Sequence, residues 1–493
     1  MAALFLQNYS YKPMKPFFIT LLLYLFLCSC SNDNNVPIEP NIPEEEIDIP
    51  STNTVGVTQK KLKVFDGYTL FTSSKSTDTY LINNCGQVIN KWTSKYKSGK
   101  SVYLLENGSI LRAGEILNEN IAIGGIGGAI EIKDWNDNLI WSYEYSSDQF
   151  SHHHDAIPLK NGNILLLIAT RKNLQECIDA GRDPETLTDS ELYNEQIIEI
   201  EPIGNNAINI VWEWNIWDHL VQDFDSTKAN FGTISENPQL MDINYIGRYN
   251  GKADWLHANS IQYNEDLDEI IISFQGTSEF MIIDHSTTSL EAASSSGGKK
   301  GKGGDILYRW GNPAVYQLGT ENDRTLYGQH YPHWIPNNYS DGGKILVFNN
   351  GLDRESPVAY SSVDLISPTK DNNGNYSFTD GLPFAPKQPE WQYKNIGSFL
   401  SEIISSAQRL PNGNTLICEG QRGHFFEINT NDEIIWEYVN PESGSGILKQ
   451  GDEGVDNAVF RAFKYSTNYP AFKNKTLTPG SPIELDPNLG NCM

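Results

Sequence analysis

The chain has 493 residues, 39% of them hydrophobic and 20% charged, with a mean hydropathy of −0.43. That is enough to bury a large core and too polar for a polytopic membrane protein. A formal net charge of −26 repels nucleic-acid phosphates and anionic lipid, so no nucleic-acid partner is expected, and an anionic ligand needs a local basic pocket.

At the N-terminus, Lys12 and Lys15 precede an apolar run over residues 17–27 that ends in Leu27-Cys28-Ser29-Cys30. The run is short for a membrane span and resembles a bacterial lipoprotein signal, with Cys30 as the acylated residue and Cys28 as the alternative. A start at Met14 gives a more ordinary signal length, and a plain secretory signal is the competing reading. Residues 1–30 are therefore expected to be a signal peptide and residues 31–54, rich in Asn, Pro and Glu, a disordered tether. The protein would then be an exported lipoprotein of the cell envelope, facing the periplasm or displayed on the outer membrane, touching membrane through its lipid alone. Of the later cysteines, Cys418 reads as a buried thiol, and a Cys85–Cys492 bridge would tie the two ends together. No Cys-x-x-Cys or Cys/His pair has zinc spacing, so no metal is expected.

The remaining chain repeats one four-strand grammar. Residues 409–438 read as a strand end, an Asn412-Gly413 turn, a strand over 415–418, a loop, a strand over 425–428, a polar turn and a strand closing on Trp436. Comparable endings occur at Trp92, Trp141, Trp212, Trp310 and Trp391, and comparable Asn-Gly or Asp-Gly turns at Gly108, Gly162 and Gly342. Six such endings predict an all-β, six-bladed β-propeller of four-stranded antiparallel blades over residues 55–441. Residues 442–493 are expected to be a C-terminal tail that packs on the outside or closes the ring. Residues 172–195, of helical composition, are an insertion between the second and third strands of blade three. Residues 216–253 join blades three and four.

In a propeller, the start of each innermost strand and the loop between the second and third strands fall on one face. That grammar sends His152, His153, His154, His257, His330, His333 and His424 to one rim, seven of the nine histidines, with Arg112, Arg171 and Arg354. Singly, a loop histidine is usually solvated or caps a turn. Together, imidazoles and guanidinium groups suit a compact anion, because imidazole can attack, donate a proton or pair with charge near neutral pH. Trp255 and Trp334, each beside a rim histidine, are candidates to stack on an aromatic ligand.

The runs SHHHDAIPLKNGNILLL, WLHANSIQYNEDLDEIIISFQGTSEFMIIDHSTTS, GDILYRWGNP, GQHYPHWIP, ILVFNNG, AQRLPNGNTLI and GHFFEI together resemble the bacterial aryl-sulfate sulfotransferases, over about residues 60–470. The resemblance implies an exported transferase that needs no cofactor and no nucleotide sulfate donor. It would move a sulfuryl group from a phenyl sulfate to a phenol through a sulfated histidine. It implies His257 and His330 as channel histidines, Arg354 as the sulfate-binding guanidinium, and a nucleophile from the last blade, hence His424, with His330 as the alternative. His154, His333, Trp255, Trp334 and Arg171 would line the substrate site. The partners would be small aryl sulfates and phenols, with the choice between monomer and homodimer open. The competing reading is a non-catalytic ligand-binding or scaffold propeller at the cell envelope.

Overall fold

A computed structural model describes residues 49–492. The expected signal segment with Cys30, and the expected tether up to residue 48, lie outside the described residues. Where description begins, Ile49 already packs against a core cluster. Asn53 donates to the carbonyls of Val57 and Asn488 at 3.0 and 2.8 Å. The tether expected through residue 54 is therefore fixed from its last few residues, because they are hydrogen-bonded to the body.

Six antiparallel sheets form a six-bladed propeller. Blade two is Ser98–Leu104, Ile110–Glu115, Gly128–Lys133 and Leu139–Glu144. Blade three is Phe150–Pro158, Ile164–Asn173, Glu191–Ile203 and Ala207–Asn215. Blade four is Ala258–Asn264, Glu269–Phe274, Glu279–Asp284 and Tyr308–Trp310. Blade five is His330–Trp334, Ile345–Asn349, Ser362–Ile366 and Trp391–Lys394. Blade six is Ser406–Arg409, Thr415–Glu419, His424–Ile428 and Ile434–Val439. First strands of neighbouring blades pack on one another around the axis.

Blade one is built from both ends of the chain. Its second to fourth strands are Gly67–Ser73, Asp78–Ile82 and Val88–Thr93, and its innermost strand is Val459–Ser466, paired antiparallel with Gly67–Ser73. The propeller boundary expected at residue 441 therefore moves to 466. Residues 459–466 are not a tail on the surface, because Phe460, Ala462 and Phe463 are buried strand residues. Reciprocally, Gly56–Lys60 adds a fifth strand to the outer edge of blade six, and Cys85 and Cys492 form a disulfide across a separation of 407 residues.

The fourth-strand tryptophans explain why the repeat is legible. Trp92 donates its indole N–H to the carbonyl of Asp134 (2.7 Å), Trp141 to Ala207 (3.1 Å), Trp310 to Pro386 (2.6 Å) and Trp436 to Asn84 (2.9 Å). In blade three the bond to the next blade's backbone comes from Trp214, to Gly304 (2.8 Å), while Trp212 donates to the Thr287 hydroxyl (3.1 Å). Trp391 donates to the Asp432 side chain. Each donor reaches the connection between the third and fourth strands of the next blade or, at Ala207, the first residue of the fourth strand. A large apolar ring thus buries its area between blades while its one polar atom is satisfied, in five blades by a carbonyl of the neighbour.

The insertion in blade three holds one short helix, Leu174–Asp179, whose start is fixed by a capping box between Asn173 and Glu176.

Candidate functional site

All first strands run in one direction, so the channel has an upper mouth where they begin and a lower mouth where they end. Near the upper mouth, Lys100, His154, His257 and Tyr331 have left-handed backbones, with φ of 93°, 53°, 48° and 54°. The strand ladders slip register at these places. Such bulges re-aim a side chain, and their strain is sustained only where the surrounding fold over-determines it. Here they turn residues from successive blades toward the axis.

Three imidazoles meet there. The His154 and His257 rings lie edge to face with centroids 5.0 Å apart, and Phe460 sits 5.9 Å from His154 and 6.3 Å from His330. His330 Nδ1 lies 2.8 Å from Asn350 Oδ1. The Asn350 amide nitrogen donates to the carbonyls of Ser401 (2.7 Å) and Ile404 (2.8 Å), which fixes its oxygen as an acceptor. His330 must therefore carry its proton on Nδ1, leaving the Nε2 lone pair bare. Burial pushes the His330 pKa down to about 3, against the Asn350 hydrogen bond, with His257 and Arg461 adding to the fall.

His257 differs. Burial pulls its pKa down, but the charge and 2.7 Å hydrogen bond of Asp254 on Nδ1, with Glu195 behind, more than reverse that, so the net shift is upward. With Nδ1–H on Asp254, that upward shift favours a second proton on Nε2. His154 is held well below the usual range by burial and by His257, His153, His330 and Lys100. Its orientation is set by a chain: His154 Nδ1 to His153 Nδ1 (2.9 Å), and His153 Nε2 to Glu195 (3.0 Å).

The floor beneath is a charged knot. Asp155 is fully buried and joins Tyr103 (2.9 Å), Arg461 (3.0 Å) and the Ile261 amide (3.2 Å), so residues of blades one to four converge on one carboxylate. The roof is a glycine strap over residues 116–127, between the second and third strands of blade two. His154 N donates to the Gly125 carbonyl (2.8 Å) and Gly124 N to Asp254 (3.4 Å). A Cβ at Gly124, Gly125 or Gly127 would overlap the rings of His257, His154 and His152 respectively.

A family model described as arylsulfotransferase (ASST) matches residues 53–469. The chain belongs to the arylsulfotransferase family. No curated protein matches it. Among solved structures, a protein of unknown function from Bacteroides caccae is similar at 10% identity, with 81% of this chain and 98% of that chain covered and a TM-score of 0.42. A protein of unknown function from Desulfotomaculum acetoxidans is 9% identical, with 81% and 99% covered and a TM-score of 0.36. A putative 6-phosphogluconolactonase from Bacteroides fragilis is 8% identical, with 82% and 99% covered and a TM-score of 0.36. The sulfotransferase assignment rests on the family match alone.

An arylsulfotransferase needs its reacting groups together, and the structure joins only part of the expected set. His257, His330 and His154 converge. His424 does not: it starts the third strand of blade six, roughly 10 Å out from the first by strand spacing. Its ring is clamped between Glu419 (3.0 Å) and Glu437 (3.2 Å). Burial opposes the charge, yet those two carboxylates raise its pKa to about 9, so it has no free lone pair at neutral pH. Arg354 has no hydrogen bond to the three imidazoles among the described residues; it is held between the Tyr327 and Tyr360 rings at 5.0 and 4.2 Å with Nη2 on the Ser362 hydroxyl and its buried Nε unpaired.

The remaining expected residues have other partners. Arg171 is paired with Glu191 (2.6 Å), and Arg112 with Glu131 (3.6 Å) on the adjacent strand of blade two. Trp255 is a core residue whose indole donates to the Tyr193 carbonyl at 2.9 Å. His152 accepts from the Gly128 amide at 3.1 Å and braces the strap. His333 and Trp334 end their strand and belong to the lower mouth.

Sequence reasoning missed the cations nearest the histidines. Lys100 lies close enough to His154 to depress it, and its ammonium has no hydrogen-bond or ion-pair partner among the described residues. Arg248 lowers the His257 pKa, and Arg461 that of His330. The signal for Arg461 was present in the alternation of residues 460–465. Lys100 and Arg248 carried none, since their approach depends on a bulge and an interblade connection.

Proposed function

We propose that this sulfotransferase moves a sulfuryl group from an aryl sulfate to a phenol with His330 as the carrier. What supports this is a single arrangement: a neutral imidazole with its Nε2 bare, beside a second imidazole whose titration Asp254 shifts upward, at the start of the channel.

In the first half-reaction, His330 Nε2 attacks sulfur and the bond from sulfur to the aryl oxygen breaks. His257 gives its Nε2 proton to the departing phenolate, leaving a sulfated His330 and a neutral His257. In the second half, His257 takes the proton of an incoming phenol, whose oxygen attacks sulfur as the N–S bond breaks. Both groups return to their starting states, so no cofactor is consumed. Lys100 and the His257 imidazolium face charge on the sulfonate oxygens, which locally offsets the protein's −26. His154, oriented by His153 and Glu195, borders the same space. Sulfuryl transfer, like phosphoryl transfer, is governed by positioning and by charge on the equatorial oxygens, and acid–base help adds roughly 10² to 10⁴ in rate.

The test is mass spectrometry after brief incubation with 4-nitrophenyl sulfate. A peptide containing His330 should gain one sulfuryl group, and phenol should discharge it. A modified peptide carrying another residue, or a scaffold that takes up no sulfuryl group, would overturn the proposal. Export and the Cys30 anchor belong to the same reading and are testable by radiolabelled palmitate incorporation, lost in Cys30→Ala.

A further inference from the structure

At the lower mouth, the ends of the first strands of blades four, five and six and the middle of the closing strand enclose a cavity of about 230 Å³. It lies on the far side of the Asp155–Arg461 knot from the histidine cluster. His330 starts its strand opposite Phe348 and His333 lies opposite Leu346, two residues along the partner strand and so roughly 7 Å further down by strand rise. Five of the cavity's lining residues are aromatic: Tyr263, Tyr331, Trp334, Tyr339 and Phe463. Trp334 is held in place, since its indole donates to the Tyr376 hydroxyl, which in turn donates to Glu269 at 2.6 Å.

Two acceptors face this cavity. His333 Nδ1 lies 3.2 Å from the Tyr331 carbonyl and must donate to it, so Nε2 is an acceptor. Burial pushes the His333 pKa down to about 4, with Arg461 and Arg409 adding to the fall, so the ring is neutral under physiological conditions. Gln262 donates its amide to Tyr103 at 3.0 Å, leaving its carbonyl oxygen without a partner among the described residues. The cation here, Arg409, reaches Asp341 (3.3 Å) through Nη2 and the Thr415 hydroxyl (2.7 Å) through Nη1, while its buried Nε has no partner among the described residues. A ligand here meets flat aromatic faces and two acceptors beside a guanidinium.

We propose that the lower mouth is a second binding site, separate from the reaction centre, for a planar aromatic compound with a hydroxyl donor. The ring stacks on Trp334 and Tyr339, and the hydroxyl donates to His333 Nε2 or to the Gln262 carbonyl.

Crystals of the full protein soaked in 4-bromophenol test this directly. An anomalous bromine peak beside Trp334 is expected. Its absence, with bromine only among His154, His257 and His330 or nowhere, overturns the proposal. In solution, phenol should bind the wild-type protein in two classes of site. His333→Leu should weaken one class at least fivefold while transfer from 4-nitrophenyl sulfate at saturating phenol stays within twofold. If His333→Leu fails to fold, Gln262→Ala and Trp334→Ala read the same loss, and unchanged isotherms in folded variants refute it. These readouts are binding alone, so they stand or fall apart from the role given to His330.

Discussion

His330 and His424 are the same residue type in the same fold, each fixed through Nδ1, and they have opposite chemistry. His330 leans on a neutral amide and is depressed to about 3, whereas His424 sits between two carboxylates and is raised to about 9. Both are largely enclosed, so burial alone does not separate them. The partner does: a carboxylate stabilises imidazolium, while an amide oxygen only chooses the tautomer. A histidine that must attack needs the second kind of support, and one that cements a blade tolerates the first.

The comparison is broken most severely at His330. His330→Ala should abolish transfer from 4-nitrophenyl sulfate to phenol, a loss of at least about 10³ in kcat, as expected when a nucleophile is removed. His424→Ala should transfer within a few-fold of wild type. Equal losses in the two, measured as release of 4-nitrophenol, would erase the distinction between them.

Asp254→Asn comes next. It replaces the carboxylate on His257 by an amide, giving that residue the kind of support His330 has. The His257 pKa should fall, so the alkaline limb of the rate profile should move to lower pH, and kcat at neutral pH should drop by roughly 10². The sign follows from the proposed role, in which His257 is the acid of the first half-reaction and the Asp254 carboxylate shifts its titration upward. A limb that stays in place would assign the proton to another group.

The sequence carried the fold further than the site, for a reason visible in particular residues. The fourth-strand tryptophans recur because each blade presents an indole to its neighbour, to a backbone carbonyl in five blades and to the Asp432 side chain in blade five, a constraint that acts locally and repeats around the ring. The strand pattern around them follows from period-2 burial. His257 and His330 could be placed from the grammar, since each begins a first strand. Glu419 and Glu437 were equally present in the sequence, but their approach to His424 from two neighbouring strands depends on register, which a strand pattern leaves open. Likewise, nothing in the spacing shows that Lys100 has a left-handed backbone, or that Val459–Ser466 closes blade one instead of trailing from blade six.

Gly125→Ala tests the roof over the cluster. Gly125 has φ +65°, and a Cβ there would collide with the His154 ring. The substitution should cost about 1–3 kcal/mol of local strain and displace His154 and the strap together. Transfer should fall roughly tenfold through kcat as well as KM, because a misplaced neighbour disturbs positioning and not only binding. Gly162→Ala is the control: it also has positive φ, but open space around it and no histidine nearby. Comparable loss of activity in both would reduce the strap to a matter of stability.

The smallest effect lies in stability at His424. Its folded pKa is raised to about 9, above the unfolded value of about 6.5. The charged clamp therefore contributes fully below about pH 6.5 and is lost as pH rises through about 9. With the ring still 22% exposed, the contribution is on the order of 1–2 kcal/mol. Denaturant midpoints of the wild-type protein should fall between pH 6.5 and 9.5 by more than those of His424→Gln, with the two curves converging at the alkaline end. His330→Gln should show no such convergence, because a ring depressed to about 3 is neutral across that whole window. Parallel curves for His424→Gln and wild type would mean that Glu419 and Glu437 do not hold a charged ring, and the contrast between the two histidines would then rest on position alone.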